Sequence, residues 1–100
     1  MHISQDEIYT FKVVSGEEFV AKIVKIDDGI IVIKSPVSTG MSQQGLQMMP
    51  SLLTANMDKD VLLYLHSLVM VTETREDVKS SYIKATTGID IPPKKSIITG

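Results

Sequence analysis

The first third of the chain contains three short hydrophobic stretches separated by turn-forming residues. IYTFKVV, residues 8–14, is rich in β-branched and aromatic residues, and IIVIK, residues 30–34, is continuously apolar. Between them, EEFVAKIVKI places apolar side chains at both odd and even positions of residues 17–26, so both faces of this segment need cover. Ser15-Gly16 and Asp27-Asp28-Gly29 have the chemistry of tight turns. The pattern predicts a three-stranded antiparallel meander, and its two apolar faces favour a closed or strongly bent barrel.

The hydrophobic pattern is interrupted over residues 36–59 and then resumes. The interruption contains two prolines, two glycines and four methionines without a sustained period, which predicts a long insertion loop between strands three and four. DVLLYLHSLVMVTET, residues 60–74, is then too long for one ordinary strand. His66 and Ser67 lie where a bend would divide it into two strands. We therefore expect five strands in all.

A helix is predicted over residues 74–88. Thr74 is a suitable N-cap, acidic residues occupy the first turn, and Gly88 is a suitable stop. One stripe of the predicted helix is formed by Val78, Tyr82 and Ala85. Prolines interrupt residues 89–100, for which we expect an extended tail. The 100 residues then form a single domain, mainly β, with a C-terminal helix.

Composition excludes several ways of holding this domain together. There is no cysteine, so a hydrophobic core, with help from oligomerisation, must replace disulfides and cysteine-based zinc sites. No apolar run approaches the ~20 residues that span a bilayer, and the N-terminus lacks the layout of a signal peptide. We expect a cytoplasmic protein without a membrane partner.

Charge and motifs argue against catalysis and against strong, non-specific binding of nucleic acid. The net charge is −2, and Arg75 is the only arginine beside nine lysines, whereas proteins that grip many phosphates carry a basic surplus. No nucleophile elbow, phosphate-binding glycine loop or zinc-protease motif occurs, and His2 and His66 are the only histidines. We expect no enzymatic activity, no metal and no cofactor. The pair Asp27-Asp28 is better explained by a turn than by a cation site.

The segment VSGEEFVAKIVKIDDGIIVIKSPVS resembles the first motif of the Sm-like family: a glycine turn, a patterned strand, an apolar-Asp corner and a second short strand. The matching residues are Gly16, Phe19, Ala21, Ile23, Ile26, Asp27, Ile30 and Ile31. VLLYLHSLVMV is similar to the second motif, in which two strands meet at a polar turn. Together the two motifs cover roughly half of the chain.

Within this family the bacterial Hfq branch, in a bacterial or phage setting, is the closer resemblance. Tyr64, Leu65 and His66 stand where Hfq has a Tyr-Lys-His triplet, and Ile31 replaces the asparagine typical of eukaryotic Sm proteins. The chain departs from Hfq in lacking the lysine of the triplet and in having Ala21 where strand two usually has glycine. Its predicted helix also follows the strands instead of preceding them.

The resemblance implies a strongly bent, five-stranded Sm-like (SH3-like) barrel that assembles into a homo-oligomeric ring. In such rings the fourth strand of one subunit pairs with the fifth strand of the next, and two turns line a pore that binds single-stranded RNA. By position, the pore residues would be Asp27, Asp28, Gly29, Tyr64, His66 and Ser67. Two functions stay open: an RNA-binding or RNA-chaperone-type ring, and an oligomeric assembly module that recruits a protein partner without binding nucleic acid.

Overall fold

The computed structural model describes residues 2–87. Its elements, in chain order, are β1 (Ile8–Val13), β2 (Glu18–Asp27), β3 (Ile30–Ser42), β4 (Gly45–Pro50), β5 (Asp60–Tyr64), a 3₁₀ turn (Leu65–Ser67), β6 (Leu68–Glu73) and α1 (Glu76–Thr87). All strand pairs are antiparallel, and the sheet order is β4-β3-β2-β1-β6, with β5 also paired to β3. The protein is thus mainly β with one helix at the C-terminal end of the described chain, as the sequence predicts.

The prediction of a loop throughout residues 36–59 is wrong. β3 continues through Pro36 to Ser42, and β4 returns along it, so the sheet has six strands and not the predicted five. Within this stretch only residues 43–44 and 51–59 connect strands. The turn between them is closed by Gly45 at a φ of +103° and by the hydroxyl of Ser42, which accepts a hydrogen bond from the main chain of Gln44. Beyond Ser38, β3 pairs with β4 alone. Because this two-stranded ribbon extends past the core, its pairing imposes no hydrophobic period that the sequence could reveal.

The sheet of residues 8–73 bends but does not close into a barrel. Register shifts interrupt the β2–β3 ladder between Val20 and Lys22 and between Ile23 and Lys25, and such bulges bend and twist a sheet. The 3₁₀ turn after β5 directs β6 onto β1, and the ladders of the described strands include no pair between β5 and β6. Both strands are consequently edges.

Apolar side chains cover both faces of β2, as its sequence predicts. Phe19, Ala21 and Ile23 belong to the larger buried cluster, in which the rings of Phe11 and Phe19 stack with centroids 5.2 Å apart. Val20 faces the other way, into a smaller cluster with residues of β3 and α1. Full burial of a side chain of this size stabilises the fold by about 1.5–3 kcal/mol.

α1 covers the face of the sheet that carries Val20 and Val37, and its Tyr82 packs in the same cluster. Val78 and Tyr82 lie on the packed stripe as predicted, whereas Ala85 is exposed. No helix within residues 2–87 has the length and apolar character needed to cross a membrane. Gly88, predicted to end the helix, and the predicted tail 89–100 lie outside the described residues.

The helix begins two residues later than predicted. Thr74 does not cap it: this residue is 8% exposed, and its hydroxyl lies 3.0 Å from the hydroxyl of Thr10. The carbonyl of Arg75 instead accepts the hydrogen bond of the first turn, from Lys79. The guanidinium of Arg75 also donates two hydrogen bonds to the carboxylate of Asp77, forming an exposed bidentate ion pair. This pair lowers the pKa of Asp77 to about 2.

Candidate functional site

The turn between β2 and β3 presents three of the predicted site residues to solvent. Asp27 ends β2, Asp28 follows it, and Gly29 adopts a φ of +77°, in the left-handed region that favours glycine. All three are exposed, and Asp27 lies 3.4 Å from the ammonium group of Lys25. Because both partners of this ion pair are solvated, it contributes little to stability. The turn is therefore acidic, open and shaped by one glycine.

The corner between β5 and β6 carries the other three predicted residues. The 3₁₀ turn Leu65–Ser67 separates β5 from β6, which confirms the bend predicted at His66 and Ser67. The rings of Tyr64 and His66 lie with centroids 5.9 Å apart and planes inclined by 41°. Tyr64 is 48% exposed, and His66 is also exposed. Two adjacent aromatic rings with solvent-facing surfaces are thus fixed at this corner.

The main chain joins the two turns. The N–H of Leu65 donates a 3.0 Å hydrogen bond to the carbonyl of Gly29, and Ile30 is paired with Tyr64 in the adjacent ladder. Residues far apart in sequence thereby form one rim at this end of the sheet. We name this surface, comprising residues 27–29 and 64–66, the turn rim. Its composition combines two carboxylates, two aromatic rings and the 40% exposed side chain of Leu65.

Ser67 is held elsewhere. Its carbonyl accepts a 2.8 Å hydrogen bond from the N–H of Val14, at the turn between β1 and β2, and the residue is half-buried. Ser67 also lines an apolar groove of about 380 Å³ that lies between β5 and the β1–β2 turn. The exposed rim of this groove includes Val14 and Leu62. The structure therefore brings five of the six predicted residues to the turn rim and ties the sixth to a neighbouring groove.

Tyr82 has a structural role that the sequence pattern does not reveal. Its ring is 2% exposed, and its hydroxyl accepts a hydrogen bond from the N–H of Lys22 and donates one to the carbonyl of Lys34. Burial raises the pKa of Tyr82 to about 12, which keeps the hydroxyl protonated. The position of Tyr82 on the apolar stripe of the helix predicts that its ring packs against the sheet. The sequence does not show the bulge that leaves these two main-chain groups available, because the bulge forms only in the folded sheet.

A second polar contact ties the β3–β4 region to the β1–β2 turn. The hydroxyl of Ser38 donates to the carboxylate of Glu17 and lies 2.9 Å from the hydroxyl of Ser51. Neither serine has a motif around it that would identify this pairing in sequence. Across residues 2–87, no three histidine or acidic side chains lie close enough together to hold a metal ion. Comparison with protein-family models and with curated proteins finds no match for this chain.

Proposed function

We propose that this chain is an Sm-like protein whose copies assemble into a ring and bind single-stranded RNA at the turn rim. The observation that carries the proposal is the hydrogen bond between Leu65 and Gly29, which joins the two turns that the family resemblance assigns to the pore. Without that contact the predicted residues would have no common surface.

The sheet edges support assembly into a ring. Within the described chain, β5 is paired only with β3 and β6 only with β1, so each strand has one edge with unpaired main-chain groups. These are the fourth and fifth strands of the resemblance. If the unpaired edge of β5 in one copy pairs with that of β6 in the next, the contact joins two different surfaces head to tail. Repeating this contact generates a ring when the rotation from copy to copy adds up to a full turn. Barrel closure would then be completed between copies, with a neighbour covering the apolar groove beside β5.

The aromatic pair supports RNA as the ligand. Bases of single-stranded RNA stack on tyrosine and histidine rings, each stack being worth about 1–3 kcal/mol. Tyr64 and His66 have exposed rings at a spacing that allows a base to contact either one. A ring would repeat this weak contact once per subunit, and the repetition raises the overall affinity without any new kind of contact.

The test combines a mass measurement in solution with fluorescence-anisotropy titrations of short uridine-rich and adenine-rich RNAs at two salt concentrations. The proposal requires a multimer and binding that weakens at the higher salt concentration. His66→Ala should reduce the affinity at least several-fold. His2→Ala is the matched control, because the side chain of His2 is exposed. His2 contributes its main-chain carbonyl to the fold, and this carbonyl accepts a hydrogen bond from the hydroxyl of Tyr9. A monomer would contradict the ring.

The acidic character of the turn rim favours a second candidate, an assembly module that binds a protein and no nucleic acid. Asp27 and Asp28 repel phosphates, and Leu65 supplies no cation where the Hfq triplet has lysine. In that case the protein forms a multimer, and neither RNA shows salt-sensitive binding. The same two measurements therefore distinguish the candidates.

A further inference from the structure

The chain contains a long segment without charge. Residues 35–57 include no Asp, Glu, Lys, Arg or His, although 22 of the 100 residues are charged. The segment spans the second half of β3, all of β4 and most of the connection to β5. We call the paired part of this segment, residues 37–50, the neutral ribbon.

The neutral ribbon exposes both apolar side chains and a strand edge. Met41 and Leu46 form a cross-strand pair and are 79% and 41% exposed, and Met49 is 58% exposed. β4 pairs with β3 on one side, and its other edge has no partner strand among the described residues. Unpaired strand edges that lack protection pair readily with another chain.

Proteins usually protect such an edge with a lysine or another charged side chain, a proline or a bulge. β5 and β6 each have one charged residue at one end, Asp60 and Glu73, whereas β4 has none. In β4 the only protective residue is Pro50, at its last position, which leaves Gly45–Met49 available. The edge of β4 is therefore suited to pairing.

We propose that β4 pairs with β4 of a second copy of the chain across a twofold axis, extending the sheet from one copy into the other. The absence of charge in the neutral ribbon favours a second copy of the chain as the partner. Two copies of net charge −2 repel each other, but the neutral ribbon meets its own equivalent without any like-charge contact. A twofold contact uses the same patch on both copies, and methionine side chains adapt their shape to such a surface.

This contact is separate from the edges that would form a ring. β5 pairs with Ile30–Lys34 of β3 and β4 with Val37–Ser42, on the side of β3 opposite β2. The free edges of β5 and β4 therefore lie one after the other along the same side of the sheet, and residues 51–59 connect the two strands. If the proposed ring forms, pairing through β4 joins two rings; if no ring forms, it produces a dimer. The inference therefore stands without the ring.

The test is the mass in solution, measured by sedimentation over a range of protein concentrations. The double variant Leu46→Lys/Met49→Lys places charge on both faces of β4 and should halve the mass of the wild-type assembly. Gln43→Lys, in the turn between β3 and β4, adds charge to the same segment and should leave the mass unchanged. Leu62→Lys on β5 should abolish a ring but leave a dimer. Failure of the ring and failure of the β4 contact thus give different masses.

Hydrogen exchange of the wild-type protein provides a second measurement that does not depend on how the variants fold. Alternate main-chain N–H groups of Leu46–Met49 face the free edge of β4, and these groups should exchange more slowly as the protein concentration rises. Equal masses for the wild type and the double variant, or fast exchange at every concentration, would overturn the proposal. Protection that appears only when another protein is added would also overturn it, because the edge would then serve a different partner.

Discussion

The hydroxyl of Tyr82 donates a 2.9 Å hydrogen bond to the main-chain carbonyl of Lys34. The same oxygen accepts a 3.1 Å hydrogen bond from the N–H of Lys22, which is the residue paired with Lys34 across β2 and β3. A side chain of the helix thus bridges two main-chain groups where the register of this ladder shifts. Because buried main-chain groups are costly when unpaired, this oxygen links the position of α1 to the bend of the sheet.

Tyr82→Phe should lower the free energy of unfolding by about 1–3 kcal/mol, because it leaves the N–H of Lys22 and the carbonyl of Lys34 without this partner. The ring itself stays, so little packing is lost. Tyr64→Phe is the matched control: its ring is 48% exposed, and removing its hydroxyl should change the stability by less than about 0.5 kcal/mol. Urea denaturation of the three proteins measures the difference. Equal losses in both variants would contradict the bridging role.

Stability should also fall at high pH because of Tyr82. Its pKa is raised from 10 to about 12 in the folded protein, so folding favours the protonated hydroxyl. The resulting stabilisation is complete below pH 10 and is lost as the pH rises through about 12. The difference in unfolding free energy between wild type and Tyr82→Phe isolates this group from the rest of the protein. That difference should shrink between pH 9 and pH 12, and a constant difference would argue against a buried, protonated hydroxyl.

Two glycines should respond to alanine in opposite directions. Gly29 has a φ of +77°, so Gly29→Ala should destabilise the protein by about 1–2 kcal/mol through backbone strain at the turn rim. Gly40 lies in β3 without a positive φ and with no atom within 4 Å of an added Cβ. Gly40→Ala should therefore stabilise the strand by about 0.5–1 kcal/mol. Thermal or urea unfolding distinguishes the two signs, and a loss at both positions would contradict the assigned conformations.

A buried and an exposed isoleucine of β2 provide a test of the core. Ile23 is fully buried, and Ile23→Val should cost about 0.5–1.5 kcal/mol of unfolding free energy. Ile26 is 41% exposed near the turn rim, so the same loss of one methylene group in Ile26→Val should cost less than about 0.5 kcal/mol. Urea midpoints compare them directly. Similar losses would mean that Ile26 is covered in solution, as it could be in an assembly.

The strands of the core were predictable because burial imposes a pattern on their sequence. The segment IIVIK and both faces of β2 must carry apolar side chains, since each contributes to a buried cluster. The corner at His66 was predictable for a related reason, since no ordinary strand continues through fifteen residues. The pattern of β4 carries no such signal, because its two faces are mostly solvated and its pairing depends on main-chain groups that every sequence has.

The candidate site was predictable only in part. The sequence places the candidate residues in two separate turns, Asp27–Gly29 in one and Tyr64, His66 and Ser67 in the other. The contact between these turns depends on how β5 aligns with β3. The alignment is fixed by Ile31 and Ile33, which are buried opposite the half-buried Leu63 and Val61. A slip of one residue would turn these side chains to the wrong face and separate Leu65 from Gly29. Ser67 lies outside the turn rim, because its carbonyl accepts a hydrogen bond from the N–H of Val14 after the 3₁₀ turn.

Leu65→Lys tests whether the turn rim faces RNA. The side chain is 40% exposed, and a lysine there restores the cation that the resemblance to Hfq leads one to expect, without disturbing a buried contact. If RNA binds at the rim, this variant should bind uridine-rich or adenine-rich RNA more tightly than the wild type. Its affinity should also fall more steeply with salt, because each added phosphate contact on a single strand steepens the slope of log K against log salt by about 0.7.

Leu53→Lys is the control for this gain of binding. Leu53 is 78% exposed in the connection between β4 and β5, so the substitution adds the same charge outside the turn rim. Tighter binding by Leu65→Lys alone places the RNA at the rim, because a general increase in positive charge would strengthen both variants equally. If neither variant binds RNA while the mass in solution remains that of a multimer, the rim does not contact phosphates, and the assembly module becomes the better account.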